Sequence, residues 1–406
     1  MKTKKIAVFT GNRAEYGLQY PILKAIDNHP NLNYSLIVSG AHLDNQFGET
    51  LKEIKKDGFI IDKEIKIETN GDNLFSTAQS IGSGIKEISK ALEEVKPDIM
   101  VVYADRFEGF AAVVASTQMN IPTAHIEGGD LTEGGALDDS IRHAMTKLSH
   151  IHFTTNKQAT NRILGMGEES WRVHTVGFPA IDLIEENNFA SPSEINKRLN
   201  LNFERPIILF TQHSVTTEFN KVIEQIEPSL NALRFLAEMD YQIIITYPNN
   251  DAGGKKIIEL INEYFSKNFL NVQIHSSLGR YLYHGLLNLA RDQKNEIVCV
   301  GNSSSGIKET PAFLCPTINI GSRQKGRLRG ENVIDVPYDE KKIIEKIIFA
   351  LKDKQFRSNC EKSSNPYGIG NAGNKVANLL ANIEITPDLI RKRMTLIGEE
   401  KEGWYR

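Results

Sequence analysis

Cysteine is scarce in this chain: Cys299, Cys315 and Cys360 are the three in 406 residues. An odd count with no metal-ligand spacing excludes a disulfide framework and a zinc-type site, and fits thiols that fill core in a reducing compartment. An excess of charge of one sign is also lacking. The net charge of −3 comes from 48 basic and 51 acidic residues, which gives no electrostatic footprint for nucleic acid. Long apolar runs are missing as well. The basic start, Met1-Lys2-Thr3-Lys4-Lys5, leads into only about five apolar residues, short of a secretory signal and of the roughly 20 a membrane span needs. A dinucleotide fingerprint is absent too. Thr10-Gly11-Asn12-Arg13-Ala14-Glu15-Tyr16 ends the first strand candidate without three spaced glycines, so no nicotinamide cofactor is expected. These absences leave a soluble cytoplasmic protein with no metal and no cofactor expected, and with no nucleic-acid or membrane partner.

What is present is an alternation of short apolar runs and helical patterns. Lys5–Thr10, Tyr34–Val38, Asp98–Tyr103, Ile121–His125, His150–Thr154 and Val173–Phe178 read as strands. Helices are predicted over Tyr16–Asn28, Leu74–Val95 and Gly109–Gln118. The pattern restarts after a polar stretch, with strands at Pro206–Gln212, Gln242–Tyr247, Glu296–Gly301, Thr317–Ile320 and Val333–Val336. Helices there are predicted over Val222–Met239, Asp339–Lys352 and Asn374–Asn382, and in the charged tail after Asp388. Strands separated by helices of this length imply βαβ units and parallel sheets. The chain is too long for one ordinary core. The expected organisation is a Rossmann-like domain over 1–180, a linker over 181–204, a second Rossmann-like domain over 205–365, and C-terminal helices over 366–406 that pack back on the first domain. Two such α/β domains with a cleft between them make the GT-B architecture.

Chemistry concentrates at strand ends, where an open parallel sheet presents its ligand crevice. Three carboxylates stand there or shortly after: Asp105, Glu127 and Asp138. Converging acids can give and take protons. The plainer alternatives are an ion pair of Asp105 with Arg106 or Arg142, and Asp139 as cap of a helix starting near Ser140. His125, His143 and His152 read as packed or surface histidines. In the second half, Gly301-Asn302-Ser303-Ser304-Ser305-Gly306 follows an apolar strand and feeds a helix. Its backbone N–H groups, serine hydroxyls and helix dipole suit a diphosphate, although a capping serine run has the same composition. Glu309 is placed to accept from ribose hydroxyls. Arg13 and Arg323 offer guanidinium forks for phosphate oxygens, where most surface arginines are simply solvated.

Taken in order, these motifs resemble the UDP-N-acetylglucosamine 2-epimerases, and specifically their hydrolysing branch. The resemblance runs through Thr10–Tyr16, Ser39-Gly40-Ala41-His42-Leu43, Asp105-Arg106-Phe107-Glu108, His125-Ile126-Glu127-Gly128-Gly129 and Asp138-Asp139-Ser140-Ile141-Arg142-His143. It continues through Val176–Asp182, His213-Ser214-Val215-Thr216-Thr217-Glu218, Pro248–Gly253 and Gly301–Glu309. It implies catalysis by Asp105, Glu127 and Asp138 with His213. It implies UDP binding by Arg13, Arg106, His213, Asn249, His275, Ser303, Ser304, Glu309 and Arg323, and a homodimer. The implied reaction converts UDP-N-acetylglucosamine and water to N-acetylmannosamine and UDP, for sialic acid-type sugars of surface polysaccharides. Relatives acting on UDP-2,4-diacetamido-2,4,6-trideoxyglucose in legionaminic acid synthesis share the same motifs. A GT-B glycosyltransferase would explain the UDP site but leave two of the three acids unemployed.

Overall fold

The computed structural model describes residues 3–43, 50–67, 74–132, 137–249, 253–266 and 269–396. In chain order the first elements are β1 (Lys4–Thr10), α1 (Arg13–Asp27), β2 (Leu32–Ser39), α2 (Thr50–Lys56), β3 (Ile61–Ile65), α3 (Leu74–Val95) and β4 (Ile99–Tyr103). Then come α4 (Phe107–Gln118), β5 (Thr123–Ile126), α5 (Leu137–Leu148), β6 (Ile151–Thr154), α6 (Lys157–Gly165), β7 (Val173–Thr175) and α7 (Ala180–Glu185). Next are α8 (Pro192–Leu199), β8 (Ile207–Thr211), α9 (Val222–Glu238), β9 (Gln242–Thr246), α10 (Gly254–Tyr264), β10 (Val272–His275), α11 (Gly279–Asn288) and β11 (Ile297–Gly301). The chain ends with α12 (Ser305–Lys308), β12 (Thr317–Ile320), β13 (Val333–Val336), α13 (Glu340–Lys352), α14 (Lys354–Lys362), α15 (Ala372–Asn382) and α16 (Pro387–Ile390).

The chain divides into two units. Unit 1 contains 1–130, 137–183 and 370–406; unit 2 contains 131–136 and 184–369. Unit 1 holds a seven-stranded sheet in the order β3-β2-β1-β4-β5-β6-β7, and every adjacent pair is parallel. Ile6, Ala7, Val8 and Phe9 of β1 are all buried, as is the whole of β4. A continuous apolar run, in place of alternation, marks a strand covered by helices on both faces. Edge strand β3 instead alternates exposed and covered residues along Ile-Asp-Lys-Glu-Ile, and its polar half hides it from a reading by apolar runs. Unit 2 holds a six-stranded parallel sheet, β10-β9-β8-β11-β12-β13.

The C-terminal stretch returns to unit 1, where Asp182 accepts from the N–H groups of Ala372 (2.8 Å) and Gly373 (2.7 Å) at the start of α15. That carboxylate serves the orphan amides of a helix whose own N-cap residue, Asn371, makes no side-chain cap. Beyond α15, buried Arg172 donates to the carbonyls of Leu389 (2.7 Å), Asp388 (2.7 Å) and Arg391 (3.2 Å). Lys392 reaches the carbonyls of Lys147 and Ser149, at 2.6 Å each. Two expectations are corrected here. The tail after Asp388 is not helical beyond Ile390 among the described residues; its carbonyls are taken by Arg172. Helix α5 begins at Leu137, so Asp139 lies inside the first turn and is not its cap. Cys299, Cys315 and Cys360 are free and buried.

Candidate functional site

In each sheet the strand order reverses once, between β1 and β4 in unit 1 and between β8 and β11 in unit 2. Connections leave in opposite directions at such a point, and the turns after those strands frame a crevice. In unit 1 the turns are Gly11-Asn12 after β1, Ala104-Asp105-Arg106 after β4 and Glu127 after neighbouring β5. Ala104 (φ 55°) and Glu127 (φ 64°) both adopt left-handed backbone, at a cost of about 1–3 kcal/mol for such residues. Backbone hydrogen bonds hold them there, Ala104 N–H to Ile126 O at 3.0 Å and Glu127 N–H to Phe153 O at 2.9 Å. Buried His125 braces the same crest. Its Nε2 lies 2.7 Å from Ala104 O and its Nδ1 3.1 Å from the Thr146 hydroxyl. Burial pushes its pKa down to about 3, so the ring is neutral and structural, as expected, and donates through Nε2.

The acids gather on two arginines. Arg142 of α5 is buried, is ion-paired through Nη2 with Asp105, and approaches Glu127 O at 3.4 Å through Nη1. Burial opposes its charge, but Asp105 first, then Glu127, Asp130 and Asp139, hold its pKa above the ordinary arginine value. The same balance acts on Arg106, whose neighbours in order of influence are Glu108, Glu15, Asp138 and Asp105. Tyr103 stands beside Glu127; burial and that carboxylate push its phenol well up. Asp105, Glu127, Asp138 and Arg106 are thus all within this network, and Asp105 does pair with Arg142. Arg13 opens α1, but its side chain lies outside the described residues.

Beneath this network is a buried acid pair that sequence reasoning missed. Glu15 Oε2 accepts from Gly11 N–H at 2.9 Å. A Cβ on Gly11 would stand 2.9 Å from Glu108 Cβ and 3.4 Å from Glu15 Oε2, so the two side chains flank one glycine. Burial, then the Glu108 charge, push the Glu15 carboxyl up to about 8, with the Gly11 N–H and Arg106 opposing. Glu108 is raised as well, by burial. Like charges in so little water cannot both ionise cheaply. Both residues occur in the quoted motifs, yet only burial, which a linear pattern does not display, separates them from solvated glutamates.

In unit 2 the hub at the reversal is buried Asn302. Its Oδ1 accepts from His213 N–H (2.7 Å) and its Nδ2 donates to His213 O (2.9 Å). Its own carbonyl accepts from Arg323 Nη1 (3.2 Å) and Gln324 Nε2 (2.8 Å). One residue therefore gathers the turn after β8 through its side-chain amide and the arginine loop after β12 through its main-chain carbonyl, both onto the turn after β11. Gly301 makes the crossing possible: with φ 129°, a Cβ there would fall 1.9 Å from Thr211 O. Asn249 N–H lies 3.1 Å from His213 Nδ1, and Asn249 Oδ1 lies at 3.2 Å. A backbone N–H can only donate, so Nδ1 accepts and the neutral ring carries its proton on Nε2. Burial, and then Arg323, push the pKa of His213 down to about 3.

The serine turn differs from expectation in one respect. Helix α12 has only four residues and passes into a 3₁₀ turn, Thr310–Phe313, so its dipole is small and the donors for the expected diphosphate reduce mainly to serine hydroxyls and Arg323. The N–H groups of Gly306 and Ile307 are spent on Ser303 O (3.2 Å) and Ser304 O (3.1 Å). Ser303 is half-buried and Ser304 exposed. Glu309 ends the turn, bonded to His284 Nε2 at 2.9 Å. His275 is not brought to the hub: it ends edge strand β10, with β9 standing between it and β8. The Asn250-Asp251-Ala252 part of its motif neighbour lies outside the described residues. Of the basic loop, Arg327 is spent on Leu131 O and Gln324 Oε1, and Arg329 on Asp335. That leaves Arg323 as the arginine of this loop at the hub.

Two doubly wound parallel-sheet units in one chain define the GT-B fold class. Among solved structures, a UDP-GlcNAc 2-epimerase from Neisseria meningitidis bound to UDP-GlcNAc has this fold with a TM-score of 0.78 and 19% identity, over 93% of this chain and 99% of that one. The family description UDP-N-acetylglucosamine 2-epimerase matches residues 24–381. A GDP/UDP-N,N'-diacetylbacillosamine 2-epimerase (hydrolyzing) from Campylobacter jejuni is 35% identical, covering 88% of this chain and 90% of the relative. A UDP-N-acetylglucosamine 2-epimerase from Neisseria meningitidis is 34% identical, covering 85% and 86%. The chain belongs to the UDP-N-acetylglucosamine 2-epimerase family.

Proposed function

We propose that the protein is a hydrolysing 2-epimerase of a UDP-linked 2-acetamido sugar. In this reading it converts UDP-N-acetylglucosamine and water to N-acetylmannosamine and UDP. The single observation that carries the proposal is the gathering of Asp105, Glu127 and Asp138 on Arg142 and Arg106 at the strand-order reversal of unit 1. A C2–H with no adjacent carbonyl is too weak an acid for simple abstraction. Coupling its removal to departure of the diphosphate avoids that barrier. A carboxylate takes the C2 proton, the C–H electron pair becomes the C1=C2 bond, and the C1–O bond breaks with UDP keeping its electrons. Water then adds syn across the resulting 2-acetamidoglucal: its oxygen bonds C1 and a proton returns to C2 on the other configuration. Each step needs one base and one acid, and positioned proton transfer contributes about 10²–10⁴ in rate. Glu127 or Asp138 is assigned the C2 proton, and Asp105 the hydration step.

Unit 2 then holds the nucleotide. His213, donating through Nε2, the Ser303–Ser304 turn and Arg323 receive the departing diphosphate, and Asn249 and Glu309 complete the nucleotide contacts. Arg13 and Arg106 add positive charge, and His275 joins the nucleotide set on resemblance alone. A second reading keeps the chemistry and replaces the sugar with UDP-2,4-diacetamido-2,4,6-trideoxyglucose; the 35% identical Campylobacter relative favours it. We read the enzyme as cytoplasmic and homodimeric, the latter testable by sedimentation. The deciding experiment incubates each nucleotide sugar in D₂O and follows the products by NMR. Free N-acetylmannosamine with deuterium at C2 is the expected product. A UDP-linked epimer would replace the hydrolysing assignment, absence of C2 deuterium would end the elimination mechanism, and the faster substrate decides the sugar.

A further inference from the structure

The mechanism above uses Glu309 but gives no work to the buried histidine attached to it. His284 lies on α11 and its Nε2 holds Glu309 Oε2 at 2.9 Å, with side-chain exposures of 4% and 17%. The histidine is sealed in, whereas the Glu309 side chain keeps some exposure. The imidazole is itself held in place. Phe313, from the 3₁₀ turn that follows Glu309, packs against it with the rings tilted by 57° and 5.2 Å between centroids. The helix bearing it packs tightly on the chain at Ala190: a Cβ on Gly285 would fall 2.6 Å from Ala190 O, and Ala190 N–H donates to Tyr281 O at 3.0 Å. Nδ1 is buried with no hydrogen-bond partner among the described residues. Retaining a polar ring there, where an apolar side chain would fill the space without that penalty, points to the Nε2 contact as its purpose.

We propose that His284 is a positioning residue for nucleotide recognition: it fixes one oxygen of Glu309 so that the carboxylate is held in the orientation that meets the vicinal diol of a ribose. The proposal rests on the reading that unit 2 binds UDP through Glu309. A carboxylate clamped at one oxygen has already lost its rotamer freedom before the ligand arrives, so that ordering cost is not charged to binding. His284, Ser305 and Lys308 also hold the Glu309 carboxyl below the ordinary value despite its burial, which keeps it an acceptor for two hydroxyl donors.

The test measures, by calorimetry on the full chain, the dissociation constants of UDP and 2′,3′-dideoxy-UDP. Wild type is expected to prefer UDP by about tenfold or more, the scale of hydrogen bonds to a charged group. H284L, and H284N with an amide too short to reach the carboxylate, should reduce the preference several-fold toward unity. H284Q, whose amide can still donate, should restore most of it. Folding is checked by circular dichroism, and H284N carries the test if H284L does not fold. Full diol preference in the folded H284L or H284N protein overturns the proposal, leaving His284 as packing. A wild type without preference, or an E309Q protein that keeps it, overturns the reading beneath it instead, which the first result does not.

Discussion

The two strand-order reversals occupy equivalent places in two similar sheets, yet they are furnished with opposite chemistry. The crest of unit 1 is built from carboxylates balanced by two arginines, with a buried glutamate pair underneath. The crest of unit 2 is built from a buried asparagine, a neutral histidine, serine turns and an arginine. Acids at different stages of charge compensation suit proton transfer, and fixed neutral donors beside one cation suit an anion that must arrive and leave. One fold thus supports both, because the sheet sets where the turns go and the turn residues set what they do.

The comparison breaks most sharply if the acids prove dispensable. Asp105→Asn, Glu127→Gln and Asp138→Asn should each lower turnover by about 10²–10⁴ while UDP affinity, measured by calorimetry, changes little. Near-normal rates in all three would remove proton chemistry from unit 1. The reciprocal test is Gly301→Ala. The clash with Thr211 O and the positive φ should cost unit 2 on the order of 3 kcal/mol, read from urea unfolding, and abolish tight UDP binding. A stable G301A protein with normal affinity would show that the crossing does not organise the hub. A smaller effect is expected for Arg323→Ala, about 10-fold or more in UDP dissociation constant for one charge-assisted contact. An unchanged constant would take Arg323 out of the nucleotide set.

Much of this was legible in the chain. Apolar runs located β1, β4, β8 and β11 to within a residue or two because strands covered on both faces carry no polar interruption. Asp105 and Glu127 were found because both directly follow such runs. What escaped notice was long-range. Arg142 was nameable as one of two partners for Asp105, but only α5 set against the turn after β4 decides between it and Arg106, and Asn302 reads as part of a serine turn until its amide is seen to join two strand ends. Asp182, one of the motif residues, proves to serve the first amides of α15, nearly two hundred residues later in sequence. Edge strands β3 and β10 and helix α11 were not located; half-covered strands mix polar and apolar residues, and α11 carries His284 and Gly285 on its buried face.

The smallest effect sharpens the comparison from beneath, because unit 1 carries a carboxylate pair whose burial sets its ionisation. Glu15 is pushed up to about 8 in the folded protein, against an ordinary value near 4.5 that the unfolded chain restores. Between those two values the folded state holds more protons than the unfolded state. Stability therefore falls as pH rises across that window, by at most about 1.4 kcal/mol per pH unit for one proton, and levels off above it. Glu15→Gln keeps an acceptor for Gly11 N–H, cannot ionise, and leaves Glu108 without a like-charged neighbour. The variant should lose that pH slope and overtake the wild type in stability toward pH 8.5, in urea unfolding compared with pH 5.5. Parallel slopes for the two proteins would mean that water or a cation reaches the pair. The acids of unit 1 would then form one solvated cluster, with no division between a neutral buried base and the charged network above it.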